Sequence, residues 1–202
     1  MDRVSASGKK IYIKPSVQFV SRARLLGSHI EKLRMANLRA KLSLVLKADI
    51  TVNIRSELSE AGMPRLIEEL MTVEKEAFVE KNRYSAGSFE SVFEKYKYSL
   101  TEVRSGRDLI GFQLSFAVSQ GGAVKDTLYM AKLAFLEKYQ NLGAGRILMK
   151  FLIDQAGQSG FKSVRFHAGR WSRQGADLDR FYESLGFERE DDSGVFFLDF
   201  MA

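Results

Sequence analysis

The sequence contains no cysteine. That excludes a disulfide framework, a thiolate metal site and a cysteine nucleophile, and it fits a reducing cytoplasm. Histidine is nearly as scarce: His29 and His167 are the only two, far apart and without ligand spacing around either. Neither a structural nor a catalytic zinc centre is expected, so the site is read as metal-free. Long hydrophobic runs are missing too. No stretch of roughly 18 or more apolar residues occurs, and the N-terminus lacks an apolar segment with a small-residue cleavage site, so neither a membrane span nor secretion by that route is expected.

What is present suits an ordinary folded domain. With 202 residues, 45% hydrophobic and 11% aromatic, the chain can fill one core and carry an appendage, and it lies well away from disordered compositions. Charge is unevenly divided: residues 1 to 48 hold 11 Lys/Arg against 2 acids, while residues 49 to 202 hold 20 against 23. The formal net charge of +6 therefore belongs to the N-terminal extension. Within it, Leu26, Ile30, Leu33, Leu38, Leu42 and Val45 recur at mostly helical spacing between arginines and lysines, which predicts an amphipathic helix over 17–47. Two readings stand side by side. The helix packs on the domain or on a second subunit and exposes a solvated basic face, or it offers a surface to RNA, acidic protein or lipid headgroups. A targeting peptide is a third option, weakened by Asp2 and by the apolar pattern.

Further along, Ile50 to Arg55 alternates as a short strand, and Ser56 before Glu57-Leu58-Ser59-Glu60 has the form of a helix N-cap. Leu66 to Phe78 is helical in pattern, and Phe89, Val92, Phe93 and Tyr96 mark another short helix after the Ser85–Ser88 loop. Three β-rich runs follow, Ser99 to Val103, Leu109 to Val118 and Thr127 to Leu136, parted by Ser105-Gly106 and Gly121-Gly122, as in an antiparallel meander. A helix over 143–155, a strand over 163–167, a helix over 177–185 closed by Gly186 and a strand over 194–200 complete the pattern. The class is α/β, with a mixed and mostly antiparallel central sheet flanked by helices.

The segment most suggestive of chemistry is Gln140-Asn141-Leu142-Gly143-Ala144-Gly145, between a β-rich run and a helix. Glycines there let a phosphate approach the backbone, and the first helical turn offers unpaired N–H groups with partial positive charge. By itself a Gly-x-Gly is equally well explained by tight helix-on-sheet packing. A Walker or Rossmann reading fails, because no Gly-Lys-Ser/Thr and no third glycine are present.

Leu133-Ala134-Phe135 followed by Tyr139-Gln140-Asn141-Leu142-Gly143-Ala144-Gly145 is similar to the strand and pyrophosphate loop of the GNAT N-acetyltransferase superfamily, whose signature is Arg/Gln-x-x-Gly-x-Gly/Ala. A second match, Phe181-Tyr182-Glu183-Ser184-Leu185-Gly186-Phe187, resembles the family's final helix and its Gly-Phe. The resemblance covers about half the chain closely and residues 50–98 loosely, and divides the chain into a basic, partly helical extension (1–48) and a GNAT domain (49–202). It implies a sheet whose central strands splay around the pantetheine arm of acetyl-CoA, the cosubstrate. Gln140, Asn141, Leu142, Gly143, Ala144, Gly145 and Arg146 would bind the diphosphate, chiefly through backbone amides, and Phe135 would border the pantetheine or acetyl group. A main-chain N–H near Phe135 would serve the oxyanion, and Tyr182 would protonate the departing thiolate.

No acid lies within Leu128 to Leu136, and the chain from Glu57 to Glu94 offers many carboxylates, so the general base is left open, with a water relay as an alternative. His167 is read either as a base or substrate contact or as a structural histidine. Three departures from the family stand out: Glu137 replaces a frequent proline, Asn141 a frequent glycine, and Gly175 the asparagine before the last helix. The first two are mild; Gly175, with the 169–174 loop and its Trp171, points to altered cofactor or acceptor contacts at that edge. The implied activity is direct transfer of acetyl from acetyl-CoA to a primary amine, whether of a small molecule, a protein or an aminoacyl-tRNA. The rival reading is a non-catalytic coenzyme A-binding protein that engages an anionic partner through its arm. Self-association as a homodimer is left open.

Overall fold

The computed structural model describes residues 17–118, 126–168, 175, 177–190 and 193–200, with side chains from Ile30 onward apart from Glu60. In order, the elements are α1 (Val17–Leu46), β1 (Ile50–Arg55), α2 (Met63–Ala77), α3 (Ala86–Lys95), β2 (Tyr98–Ser105), β3 (Asp108–Val118), β4 (Thr127–Phe135), α4 (Ala144–Gln158), β5 (Ser163–His167), α5 (Leu178–Glu183), β6 (Glu188–Glu190) and β7 (Val195–Asp199). Trp171, the rest of the 169–174 loop, Gly121-Gly122 and residues 1–16 lie outside the described residues.

Seven strands form one sheet in the order β1-β2-β3-β4-β5-β7-β6. All neighbours are antiparallel except β4 and β5, which α4 joins as a crossover helix. The fold is therefore the mixed α/β one expected. Helices cover both faces. On one, α2 and α3 lay Leu66, Leu70, Val73, Phe89 and Phe93 against Leu100, Phe112 and Leu114 of the sheet. On the other, Met149 and Leu152 of α4 and Tyr182 of α5 pack with Leu128, Met130, Val164, Phe166 and Phe196. The Leu66, Ile67, Leu70, Val73 stripe of α2 is the three-and-four spacing that buries one helical face.

Helix α1 spans two compact units, residues 1–36 and 37–202. The second begins inside the helix because Leu38, Leu42 and Leu46 are buried. The Ser56 cap expected from sequence does not form. A 3-10 turn at Glu60–Gly62 precedes α2, whose first turn carries a proline, and a proline there loses no hydrogen bond because its missing N–H has no partner in any case. The cap of α3 is Ser85, whose hydroxyl accepts from the Ser88 amide at 3.2 Å.

Candidate active site

The parting of β4 from β5 organises the site. The two strands pair only at Thr127↔Ser163, Leu128↔Val164 and Tyr129↔Arg165. Beyond that pair β4 runs on to Phe135 along β3, and β5 runs on to His167 along β7. A register shift helps to separate them: Leu114↔Lys132 is followed by Ser115↔Met130, so Ala131 is an extra residue on β4, a bulge that bends the strand. The edge of β4 from Met130 onward thus faces a slot, and main-chain groups there are available to an extended ligand.

At the carboxyl end of β4 the chain turns into α4, the position at which open sheets receive ligands. Asn141 has φ 58° and Gly143 has φ 89°, and these two left-handed residues shape the turn. Glycine takes that conformation freely, and asparagine tolerates it. The amides of Ala144, Gly145 and Arg146 form the first turn, and the first intrahelical bond shown runs from Ile147 N–H to the Gly143 carbonyl at 3.2 Å. Asn141, Leu142 and Gly143 are exposed, Gly145 and Arg146 are partly exposed and Ala144 is buried, so the positive end of the helix reaches the surface, where an anion can meet it. At Gly145 a Cβ would stand 3.8 Å from Leu133 and 4.0 Å from Phe181, ordinary contacts. Packing does not demand this glycine, whereas backbone geometry demands Gly143.

Three residues expected at the site have other side-chain contacts in the structure. The Gln140 side chain donates to the Phe135 carbonyl at 2.8 Å, closing the loop on itself rather than reaching outward. The Phe135 ring lies over Gly111 of β3, so close that a Cβ at Gly111 would be 2.3 Å from it, and the residue is buried. Its backbone borders the end of the slot while its ring fills the space left by a glycine on the neighbouring strand. The Arg146 guanidinium donates to the Ser184 hydroxyl at 2.8 Å and sits 5.3 Å from the centre of the Phe181 ring, tying the start of α4 to α5.

Tyr182 lies 7% exposed among Phe166, Phe187 and Phe196, with ring centres 4.5, 6.3 and 5.0 Å away. Burial raises its phenol well above the ordinary tyrosine range, so the hydroxyl is a neutral donor at any physiological pH. Glu137, at the position of the family's frequent proline, uses the amide that proline lacks: it donates to the Glu76 carboxylate at 3.0 Å. Gly175 has φ 77°, and His167 ends β5 exposed to solvent. Two groups escaped notice in the sequence. Tyr129, the last residue of β4 to pair with β5, stands at the vertex of the slot, and burial pushes its phenol up. Lys132 is buried beside Glu74 at 3.3 Å. The bulge that aims both residues has no signature in residue types.

A sequence model of the acetyltransferase (GNAT) family matches residues 64–187, from α2 through both motifs. The chain belongs to this GNAT family. No curated protein sequence matches it. Among solved structures, the ribosomal-protein-S18-alanine N-acetyltransferase of Escherichia coli aligns over 75% of this chain and 96% of its own, with TM-score 0.55 and 21% identity. Ard1 of Thermoplasma volcanium aligns over 75% and 99%, with TM-score 0.54 and 18% identity. The PaiA N-acetyltransferase of Thermoplasma acidophilum, solved in complex with coenzyme A, aligns over 74% and 99%, with TM-score 0.51 and 17% identity. At such identities the likeness establishes the GNAT fold. Among the described residues no cluster suited to a metal ion is found, and no helix is long and apolar enough to cross a membrane.

Proposed function

We propose that the protein transfers acetyl from acetyl-CoA directly to a primary amine. The observation that carries this reading is the open first turn of α4, shaped by Gly143, at the end of the slot where β4 and β5 part. A diphosphate fits the amides of Ala144 to Arg146, and an extended arm fits the free edge of β4 from Met130 to Ala134. Acetyl-CoA would bring the activated thioester. The protein's own part is to hold it, to place backbone donors near the carbonyl, and to supply the Tyr182 proton to the leaving sulfur. The complex of the archaeal PaiA relative with coenzyme A supports the cosubstrate. The cysteine-free sequence suits a reducing cytoplasm, and the basic extension suits an anionic partner.

Calorimetry with acetyl-CoA tests the reading, beside a Gly143→Asp, Gly145→Asp double variant whose fold is checked by circular dichroism. Binding by the native protein and its loss in the folded variant are expected, because two carboxylates at the helix N-terminus repel the diphosphate. Absence of binding by the native protein would overturn the proposal. The rival, a coenzyme A-binding protein without catalysis, requires binding but no coenzyme A release with any amine.

A further inference from the structure

The face of the sheet that α2 and α3 cover carries an incompletely buried row of aromatic rings ending at the vertex of the slot. Phe116 and Tyr129 are cross-strand partners on β3 and β4, with ring centres 5.4 Å apart. Tyr96, at the end of α3 and 39% exposed, lies 4.4 Å from Phe116 at an interplanar angle of 30°. Tyr84, on the connection between α2 and α3, is partly exposed, and the centre of its ring lies 4.2 Å from the ammonium of Lys132 on β4, which brings it to the same strand as Tyr129. The row therefore runs from solvent at Tyr96, through Phe116, to Tyr129. There Tyr129 pairs with Arg165, the last register pair before β4 and β5 part.

Neighbouring charges are already matched. Lys132 pairs with Glu74 at 3.3 Å and stands 4.2 Å from the centre of the Tyr84 ring, and Arg165 lies 3.8 Å from Glu190. What the row offers a ligand is ring faces, ring edges and phenol hydroxyls. Rings in such a row hold another ring by offset or edge contact, while a polycation gains most from carboxylates and a polyanion from free cations. An amine held at the Tyr129 end would adjoin the innermost reach of the slot.

We infer that Tyr84, Tyr96, Phe116 and Tyr129 form the acceptor subsite, and that the acceptor is a primary amine a few bonds from an aromatic ring. This rests on the acetyltransferase reading above and deepens it. Such an amine comes from two sources, a small arylalkylamine or a peptide whose first residue is aromatic.

The test measures kcat/KM from coenzyme A release with 2-phenylethylamine, butylamine, spermidine, and the peptide amides Phe-Ala-Ala and Ala-Ala-Ala. Saturation-transfer NMR of 2-phenylethylamine on the coenzyme A-loaded protein gives a readout that needs no turnover. An aromatic acceptor is expected to exceed its aliphatic counterpart by about tenfold, the order of one or two favourable ring contacts, with saturation transfer to the phenyl protons. The arm that shows the preference, free amine or peptide, identifies the source. In Tyr96→Leu, at an exposed position that can be changed without disturbing the core, and in Phe116→Leu, the aromatic-to-aliphatic ratio should fall toward one. Equal kcat/KM values, or ratios untouched by either variant, overturn the inference, as does failure of every aromatic amine to react. If acetyl-CoA is still bound in those cases, the acetyltransferase reading survives; if it is not bound, that reading falls first.

Discussion

Phe135 shows how one residue serves two strands. Its ring covers Gly111, and no side chain at that position can coexist with the ring where it lies. Gly111→Ala is therefore expected to destabilise by about 1–3 kcal/mol, the usual cost of overpacking a filled core, and to disturb the end of the slot as the ring moves. Urea unfolding measures the loss, and a Gly111→Ala, Phe135→Leu pair should recover part of it. Tyr182 carries a different prediction. Burial raises its folded pKa above the ordinary value near 10. Its contribution to stability is thus fully present below about pH 10 and is lost as pH rises from there toward the folded value, because the unfolded chain ionises first. Tyr182→Phe has no such phenol to lose, so its stability relative to the native protein should grow as pH is raised past 10. The same variant should slow transfer by about 10²- to 10⁴-fold if the hydroxyl is the general acid. A native-like rate in a folded Tyr182→Phe would leave Tyr182 as a core residue.

At the scale of elements, the connection from α2 to α3 is fastened to β4 by a buried ion pair. Lys132 donates to the Asn82 carbonyl and pairs with Glu74, which accepts from the Tyr84 amide. Desolvation raises the Glu74 pKa and lowers that of Lys132, so each charge is tolerated mainly because of the other. Removing one partner strands a buried charge, and Lys132→Met alone should cost about 3–5 kcal/mol, whereas Lys132→Met with Glu74→Gln should cost much less. A double-mutant cycle by denaturant unfolding gives the coupling, and additive losses would refute the pairing. Neither residue is marked in the sequence, because Glu74 and Lys132 look like two more surface charges until the bulge at Ala131 turns β4. The bulge and the three-residue β6, Glu188–Glu190, lack the alternation by which strands are recognised. By contrast, α2, α4 and the meander of β2, β3 and β4 were legible because each must bury one face, and periodicity records that need directly. The start of α2 was misplaced because Ser56 has the form of a cap, while Pro64 marked the real first turn. Around the candidate site, the glycine at 143 was legible as a place where a ligand could approach the backbone, while its positive φ emerges only from the folded turn. The contacts of Gln140 and Phe135 depend on partners brought together only by folding.

For the whole molecule, charge separation meets a structural division. The chain forms compact units of residues 1–36 and 37–202, and the excess of 11 basic over 2 acidic residues lies in the first 48 positions. The globular part is close to neutral, so any polyanion binding should depend on the extension and behave electrostatically. Binding of a fluorescent single-stranded RNA, followed by anisotropy over a salt series, should weaken linearly in log–log form, each phosphate neutralised adding about 0.7 to the slope. Removal of residues 1–36 should abolish this binding while leaving acetyl-CoA affinity unchanged, because the α4 amides and the β4 edge belong to the other unit. Salt-independent binding, or binding that survives the removal, would show that a contact other than the basic extension holds the RNA. No binding at low salt would favour the alternative that the basic face is simply solvated, and sedimentation of the full chain and the 37–202 piece would then show whether the helix joins two subunits.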